Sequence, residues 1–142
     1  MISAGFFKRI FSLLYDTLII AGIILSLTLL LVFINGKTIV TGSILSYAEL
    51  AILFFTGPIF YCYFWLQNHG QTIGMQAWKI KVVSISGEKI TLKQCVLRCI
   101  GSILGFCFMG MGYLNILFNS DNKAWSDIFS STRIIYLKPP KT

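Results

Sequence analysis

The segment that decides the fold is Gly5-Phe6-Phe7-Lys8-Arg9-Ile10-Phe11-Ser12-Leu13-Leu14-Tyr15-Asp16, which continues without a break into an apolar run ending at Ile34. The run is long enough to cross a bilayer as a helix. It is preceded by the cations Lys8 and Arg9, and then by a carboxylate, Asp16. An ionised side chain in hydrocarbon costs about 2.5 kcal/mol or more. The role of this segment therefore depends on how deep Asp16 lies in the bilayer.

The composition predicts an integral membrane protein with a single domain over residues 1–142. Of the 142 residues, 56% are hydrophobic and 12% are charged, which is too little polar surface to cover a soluble domain of this size. A chain this short, with several membrane-length apolar runs, has no room for a large enzyme core outside the membrane. The formal charge of +7 comes from cations scattered among apolar helices, so it predicts membrane orientation and not nucleic-acid binding.

Counting residues places Asp16 at the cytoplasmic edge of the first span. Asn35-Gly36 bounds the span, and at about 1.5 Å per residue a core about 30 Å thick takes about twenty residues, which predicts a span over 13–34. Lys8 and Arg9 then lie at headgroup level, and the positive-inside rule places the amino terminus in the cytoplasm. No small-x-small cleavage site follows, so we expect an anchor and not a removed signal peptide.

A second span is predicted over 46–66, after an outer loop with the single cation Lys37. Gly57-Pro58 lies in its middle, where proline removes a backbone donor and predicts a kink. Glu49 lies near the outer end of this span and is a secondary candidate site residue. A carboxylate at such a position more often extends to the interface than binds an ion.

A polar segment after the second span predicts a cytoplasmic β-hairpin over residues 79–92. Two β-branched runs, 79–85 and 90–92, flank a turn at Gly87. The positive-inside rule assigns the segment to the cytoplasm, because cations far outnumber the carboxylate Glu88. The cations in and just after the hairpin are Lys79, Lys81, Lys89, Lys93 and Arg98.

A third hydrophobic region follows at 95–118. Thr91 and Gln94 match a capping box, so its helix should begin at Leu92. The region fits a single span or a re-entrant pair of helices that turns within 105–112.

The carboxyl-terminal tail, residues 119–142, favours the re-entrant arrangement. A single crossing would export the basic tail, against the positive-inside rule. It would also separate the hairpin from a β-rich run at 132–137 that can extend the hairpin as a third strand. Gly101 and Gly105 form a GxxxG match, which either arises by chance or allows close helix packing in a homo-oligomer or with other membrane proteins.

The sequence contains no set of residues that predicts an enzyme. The four cysteines, Cys62, Cys95, Cys99 and Cys107, fall in or against predicted spans and are expected to be free. The single histidine, His69, makes no ligand set, and no nucleophile–base pair, phosphate loop or zinc spacing appears. We therefore predict no catalysis, no metal and no cofactor.

Three charged residues, Arg9, Asp16 and Asp127, form the candidate functional cluster. Arg9 and Asp16 are seven residues apart, so they share one helix face about 10 Å apart along the axis. That distance is too long for a direct bond and requires an intermediary, for which the tail segment 123–129 is the candidate. Asp127 can reach Arg9 if the tail is cytoplasmic.

The order of these residues resembles the RDD family of bacterial membrane proteins, named for Arg-Asp-Asp. The resemblance covers nearly the whole chain and continues through Gly70-Gln71-Thr72-Ile73-Gly74, the strand Lys81-Val82-Val83 with its Gly87 turn, and Arg98. Two positions depart from the family pattern: Met75 replaces a usual basic residue, and Ser126 replaces a histidine that is frequent there. The resemblance implies the bacterial cytoplasmic (inner) membrane, and some members are associated with sodium/proton antiport.

These observations give two functional hypotheses. In the first, the protein is a scaffold or accessory subunit in which Arg9, Asp16 and Asp127 clasp the cytoplasmic face. In the second, which the resemblance implies, Asp16 exchanges a proton for a sodium ion at a desolvated boundary. The sequence has no evident internal repeat and no midplane carboxylate pair, which favours the first hypothesis.

Overall fold

The computed structural model describes residues 4–36, 39–107 and 124–137, which form a mostly helical fold with one small sheet. The helices are α1 (Phe6–Asn35), α2 (Ile44–Gln67), α3 (Ile73–Ala77), α4 (Leu92–Cys107) and α5 (Trp125–Phe129), and the strands are β1 (Ile80–Ser84) and β2 (Thr132–Tyr136). The third hydrophobic region, predicted at 95–118, is described only as far as Cys107. Most of its predicted turn therefore lies outside the described residues.

Helices α1 and α2 are long and apolar enough to cross a membrane. They have 30 and 24 residues, which at about 1.5 Å per residue gives lengths of about 45 and 36 Å. The spans predicted at 13–34 and 46–66 fall inside them. The chain reverses between them at Gly36, whose N–H donates to the Val32 carbonyl, and at Ser43, whose hydroxyl accepts from the Ser46 N–H.

The apolar side chains of both helices are exposed. In the most apolar 18-residue window, 0% of the residues of α1 and 6% of those of α2 are buried. The core helix of a soluble protein would bury such a window. Exposed apolar surface on this scale requires contact with lipid or with another protein, which supports a membrane protein.

β1 and β2 pair antiparallel, with Ile80 opposite Tyr136 and Ser84 opposite Thr132. Ile80 and Val82 of β1 point into a core that also contains Trp65 from the end of α2, Met75 from α3 and Cys95 from α4. The loop before α3 covers the other edge of β1, because the Val82 N–H donates to the Gly70 carbonyl at 2.8 Å. One face of the sheet therefore packs against the ends of the helices.

The predicted hairpin is wrong in its second strand. Residues 90–92 do not pair with β1, because Ile90 packs against the core and Thr91 already caps α4. The Thr91 N–H donates to Gln94 Oε1 at 3.1 Å and the Gln94 N–H donates to Thr91 Oγ1 at 3.4 Å, so the helix begins at Leu92 as predicted. Too few residues remain after the Gly87 turn to form a strand. The partner of β1 is β2, the run that the sequence offers as a third strand.

The described part of the tail lies at the end of the molecule where α1 begins. The Ala4 N–H donates to the Ile134 carbonyl at 2.9 Å, and Lys8 Nζ lies 3.2 Å from the ring centroid of Tyr136. α5 packs against α4 at Gly101, where a Cβ would lie 3.0 Å from Ser126 Cα. Gly101 thus permits a close contact within the chain; helix packing between chains through Gly101 and Gly105 stays a prediction.

Candidate functional site

Asp127 in α5 is bonded by two arginines from two different helices. Arg9 Nη1 of α1 donates to Oδ2 at 2.5 Å, and Arg98 Nη1 of α4 donates to Oδ1 at 2.8 Å. The Ala124 N–H also donates to Oδ2, at 3.2 Å. The Asp127 side chain is 0% exposed, and those of Arg9 and Arg98 are 2% and 4% exposed. We call Arg9, Arg98 and Asp127 the arginine clasp.

The backbone and a hydroxyl group hold the two arginines in place. Arg9 Nε donates to the Ala4 carbonyl at 3.1 Å, in the segment that leads into α1. Arg98 Nη1 also donates to Thr132 Oγ1, at the start of β2. The Arg98 guanidinium carbon lies 5.1 Å from the centroid of the Trp65 ring, within the range of a cation–π interaction. The clasp therefore joins α1, α4, α5 and the sheet at one place.

The surroundings of Asp127 favour its charged form. Burial alone would raise the pKa of this carboxyl, but the Arg98 and Arg9 guanidinium groups and the hydrogen bonds from Arg9 and the Ala124 N–H outweigh that effect. The pKa of Asp127 therefore lies below its ordinary value of 3.8. A carboxylate held in this state acts as a fixed counter-charge and not as a proton carrier at neutral pH.

Asp16 has a different set of partners, at the start of the short helix α3. Thr72 Oγ1 donates to Asp16 Oδ2 at 2.5 Å, and the Gly74 N–H donates to Oδ1 at 2.8 Å. Thr72 is also the N-cap of α3, since its Oγ1 accepts from the Met75 N–H at 3.2 Å. The Asp16 residue is 1% exposed. We call Asp16, Thr72 and Gly74 the Asp16 cap, which fastens α3 to the amino-terminal third of α1.

Gly74 allows this close contact because it has no side chain. A Cβ on Gly74 would collide with the Ser12 backbone carbonyl and would lie 2.9 Å from Asp16 Oδ1. Gly70 serves the same segment differently: its φ of 85° is in the left-handed region, and its carbonyl accepts from Val82. In the segment Gly70-Gln71-Thr72-Ile73-Gly74, Gly74 therefore allows the close contact with α1, and Gly70 allows the turn that bonds to β1.

A cavity of about 370 Å³ lies between α1, α2 and α4, and we call it the inner cavity. Its polar lining comes from Arg9, Ser12 and Asp16 of α1 and from Arg98 and Ser102 of α4. The Ser12 hydroxyl is buried and has no hydrogen-bond partner among the described residues. Ser12 and Asp16 are four residues apart and so lie on one face of α1. The inner cavity therefore brings an unsatisfied hydroxyl and a carboxylate to the same wall.

The predicted cluster of Arg9, Asp16 and Asp127 separates into two sets of bonds. Arg9 bonds to Asp127 directly. The sequence predicts this contact for a tail that lies on the same side of the membrane as the amino terminus. The Asp16 carboxylate instead bonds to Thr72 and Gly74. Glu49 is partly buried in the first turns of α2 and does not line the inner cavity.

The sequence assigns no partner to Arg98. It offers the tail segment 123–129 as the intermediary between Arg9 and Asp16, whereas the Asp16 carboxylate bonds to Thr72 and Gly74. A signal for Arg98 was present, because a cation inside an apolar region needs a counter-charge. No sequence pattern near Asp16 predicts its bond to Thr72, which is 56 residues further along the chain. In the described parts of the chain, no group of three His, Cys, Asp or Glu side chains could hold a metal ion.

Comparison with known proteins identifies the family. The curated proteins and the solved structures contain no significant match to this chain. The RDD family profile matches residues 3–131, which is most of the chain and includes both arginines and both aspartates of the two bonded sets. The chain belongs to the RDD family.

Proposed function

We propose that this chain is a multi-pass protein of the bacterial cytoplasmic membrane and serves as a scaffold or accessory subunit for other membrane proteins. α1 and α2 span the bilayer with the amino terminus in the cytoplasm, where the sheet and α5 form a layer against the helix ends. The arginine clasp carries the proposal, because Asp127 has no exposed surface and is bonded by arginines of two helices. A charge network of this kind fixes geometry and exposes no reactive group.

The exposed faces of α1 and α2 support a role in binding partners. The clasp and the cap hold one end of the bundle rigid, while the apolar side chains along both helices remain uncovered. In lipid, helix association depends on close packing and on small residues at the contact. Gly22 and Gly57 offer such positions, since nothing lies within 4 Å of a Cβ built on either. A second copy of this chain or a different membrane protein fits these faces.

The mass of the assembly taken from the native membrane tests this proposal. The full-length chain is extracted with its surrounding lipid in polymer-bounded particles and weighed by native mass spectrometry. We expect a complex of defined stoichiometry that Asp127→Asn weakens and that the control Glu49→Gln preserves. Recovery of only the free monomer from the wild type would contradict a scaffold role.

Cation/proton antiport through Asp16 is the second candidate function, and one observation favours it. Asp16 and the unsatisfied hydroxyl of Ser12 line the same inner cavity, so a sodium ion would find two oxygen ligands on one wall. The Asp16 cap opposes this role, because both carboxylate oxygens already accept hydrogen bonds. Ion exchange would require α3 to release Asp16 in each cycle.

Proteoliposome flux separates the two functions. If Asp16 exchanges ions, a sodium gradient should drive proton movement in the wild type and in Glu49→Gln, and Asp16→Asn should abolish it. Full flux in Asp16→Asn, or none in the wild type, would exclude antiport through Asp16. The scaffold proposal expects no flux from any of the three proteins.

A further inference from the structure

A larger cavity, of about 710 Å³, lies beside β1, next to the end of α2. Trp65 and Leu66 from α2 and Ile90 from the loop before α4 form its apolar wall. Lys81 from β1, Arg133 from β2 and Lys89 from the loop bring cations to it. We call it the basic cavity. Neither the arginine clasp nor the Asp16 cap contributes a residue to it.

Strand geometry gathers these cations on one side of the sheet. Side chains alternate along β1, so Ile80 and Val82 face the core while Lys81 and Val83 face the opposite way. Val83 is paired with Arg133, which places Arg133 on the same face as Lys81 and diagonal to it. Lys89 approaches from the loop after the Gly87 turn. The basic cavity therefore collects positive charge from three separate segments.

The charge of the basic cavity is not balanced by the described residues. Glu88 is the one carboxylate among the residues described as lining it. The ion pairs in the described part of the chain are those of the arginine clasp, so they involve none of the three cations. Arg133 Nε is buried without a hydrogen-bond partner among the described residues. A cavity lined by uncompensated cations raises the local concentration of anions, so it favours an anionic ligand.

The apolar wall distinguishes the ligand from a free anion. Leu66 lies in the last turn of α2 and is exposed, while Trp65 beside it belongs to the core and lines the cavity from within. A ligand in the basic cavity thus meets cations on the side of the sheet and apolar carbon on the side of the bilayer. A phospholipid presents that combination, with a phosphate next to the start of its acyl chains.

We propose that the basic cavity binds the phosphate of an anionic phospholipid. Arg133 and Lys81 donate to the phosphate oxygens, Lys89 adds charge at the opening, and the exposed Leu66 contacts the glycerol and the first acyl carbons. The site requires that α2 spans a bilayer, but it does not depend on the scaffold role. An anionic lipid held there would stabilise the packing of the sheet against the end of α2.

Native mass spectrometry with added lipid tests the site. The purified full-length chain in detergent is titrated with phosphatidylglycerol and with phosphatidylcholine of the same acyl chains. We expect tighter binding of phosphatidylglycerol, weakened about fivefold in Arg133→Gln and about fivefold in Lys81→Gln, since one cation near a charged headgroup contributes about that factor. Arg133→Lys keeps the charge and should retain most of the binding.

Lys93→Gln is the matched control, because Lys93 is an exposed cation in the first turn of α4 that does not line the basic cavity. Equal binding of the two lipids, or equal losses in Lys93→Gln and Arg133→Gln, would overturn the site. Displacement of phosphatidylglycerol by millimolar inorganic phosphate would overturn the assignment to a lipid. If Arg133→Gln does not fold, exposed Lys89→Gln gives the same comparison without altering the sheet.

Discussion

Asp127 is the residue whose loss should cost this fold most, because both Arg9 and Arg98 depend on it for a counter-charge. Asp127→Asn keeps the side-chain volume but leaves two buried guanidinium groups without an anion. Breaking a buried ion pair by removing one partner costs about 3–5 kcal/mol, so we expect a decrease of that size in the free energy of unfolding. Denaturant unfolding in detergent micelles measures it.

Glu49→Gln is the control for that measurement. Glu49 is a partly buried carboxylate of α2 outside the clasp, and its substitution should change the free energy of unfolding by less than about 0.5 kcal/mol. Equal effects of the two substitutions would show that the clasp is not what holds α5 to the helices.

The low pKa of Asp127 gives its stabilising effect a defined pH range. The folded pKa lies below the unfolded value of 3.8, so the contribution is fully present above that value and is lost as the pH falls through the folded pKa. We expect the wild type to lose stability as the pH falls below 3.8 and Asp127→Asn to lose less over the same interval. Near-ultraviolet circular dichroism across this range gives the comparison, and identical curves for the two proteins would contradict it.

The sequence predicts part of the charge network because an ionic group in an apolar setting requires a partner. The need for a counter-charge is enough to pair Arg9 with Asp127, once the tail is placed on the same side of the membrane as the amino terminus. The same rule does not identify the hydrogen-bond donors of Asp16. The hydroxyl of Thr72 and the backbone N–H of Gly74 are neutral, so a search for opposite charges does not find them. A neutral partner far along the chain is identified only by the fold.

At the scale of an element, α3 depends on Gly74. Gly74→Ala adds a Cβ that collides with the Ser12 carbonyl and crowds Asp16, so α3 must move away from α1. Overpacking of this kind costs about 1–3 kcal/mol, and here it also lengthens the hydrogen bonds of the Asp16 cap. Thermal unfolding in detergent should show a lower midpoint for Gly74→Ala.

The matched control for Gly74→Ala is Gly22→Ala, in the same first helix that Gly74 contacts. Nothing lies within 4 Å of a Cβ on Gly22, and alanine is favoured over glycine in a helix interior by about 1 kcal/mol. Gly22→Ala should therefore leave the midpoint unchanged or raise it. A lower midpoint in both variants would mean that glycine flexibility, and not the contact with α1, explains the first result.

The elements differ in how well the sequence predicts them. α1 and α2 follow from the length and apolarity of their own segments, and the start of α4 follows from a local cap at Thr91 and Gln94. Strand pairing is not local, and the glycine turn at Gly87 favours a hairpin that the fold does not make. β1 pairs with β2, which is a full strand of five residues. Residues 90–92 are not free to pair, because Ile90 packs against the core and Thr91 caps α4.

At the scale of the whole molecule, the clasp fixes the end of the helix bundle at which the described part of the tail lies. Asp127 cannot bond to both Arg9 and Arg98 unless α5 is at the same end of the bundle as the start of α1. The cations at that end include Lys8, Lys79, Lys81, Lys89 and Lys93, whereas the sequence places the single cation Lys37 between α1 and α2. From the positive-inside rule we therefore predict that the sheet, the described part of the tail and the amino terminus lie in the cytoplasm.

Cysteine labelling of intact cells tests this arrangement. In a background with the native Cys62, Cys95, Cys99 and Cys107 replaced by alanine, we expect Val40→Cys, in the loop between α1 and α2, to react with an impermeant maleimide from outside. Glu88→Cys and Leu137→Cys should react only after permeabilisation, because they report the turn and the end of β2. The two must behave alike, since β1 and β2 are hydrogen-bonded along their whole length. Labelling of Leu137→Cys but not Glu88→Cys from outside would place the end of β2 across the membrane from the Gly87 turn and would contradict the pairing of β1 with β2 and the bond between Arg9 and Asp127.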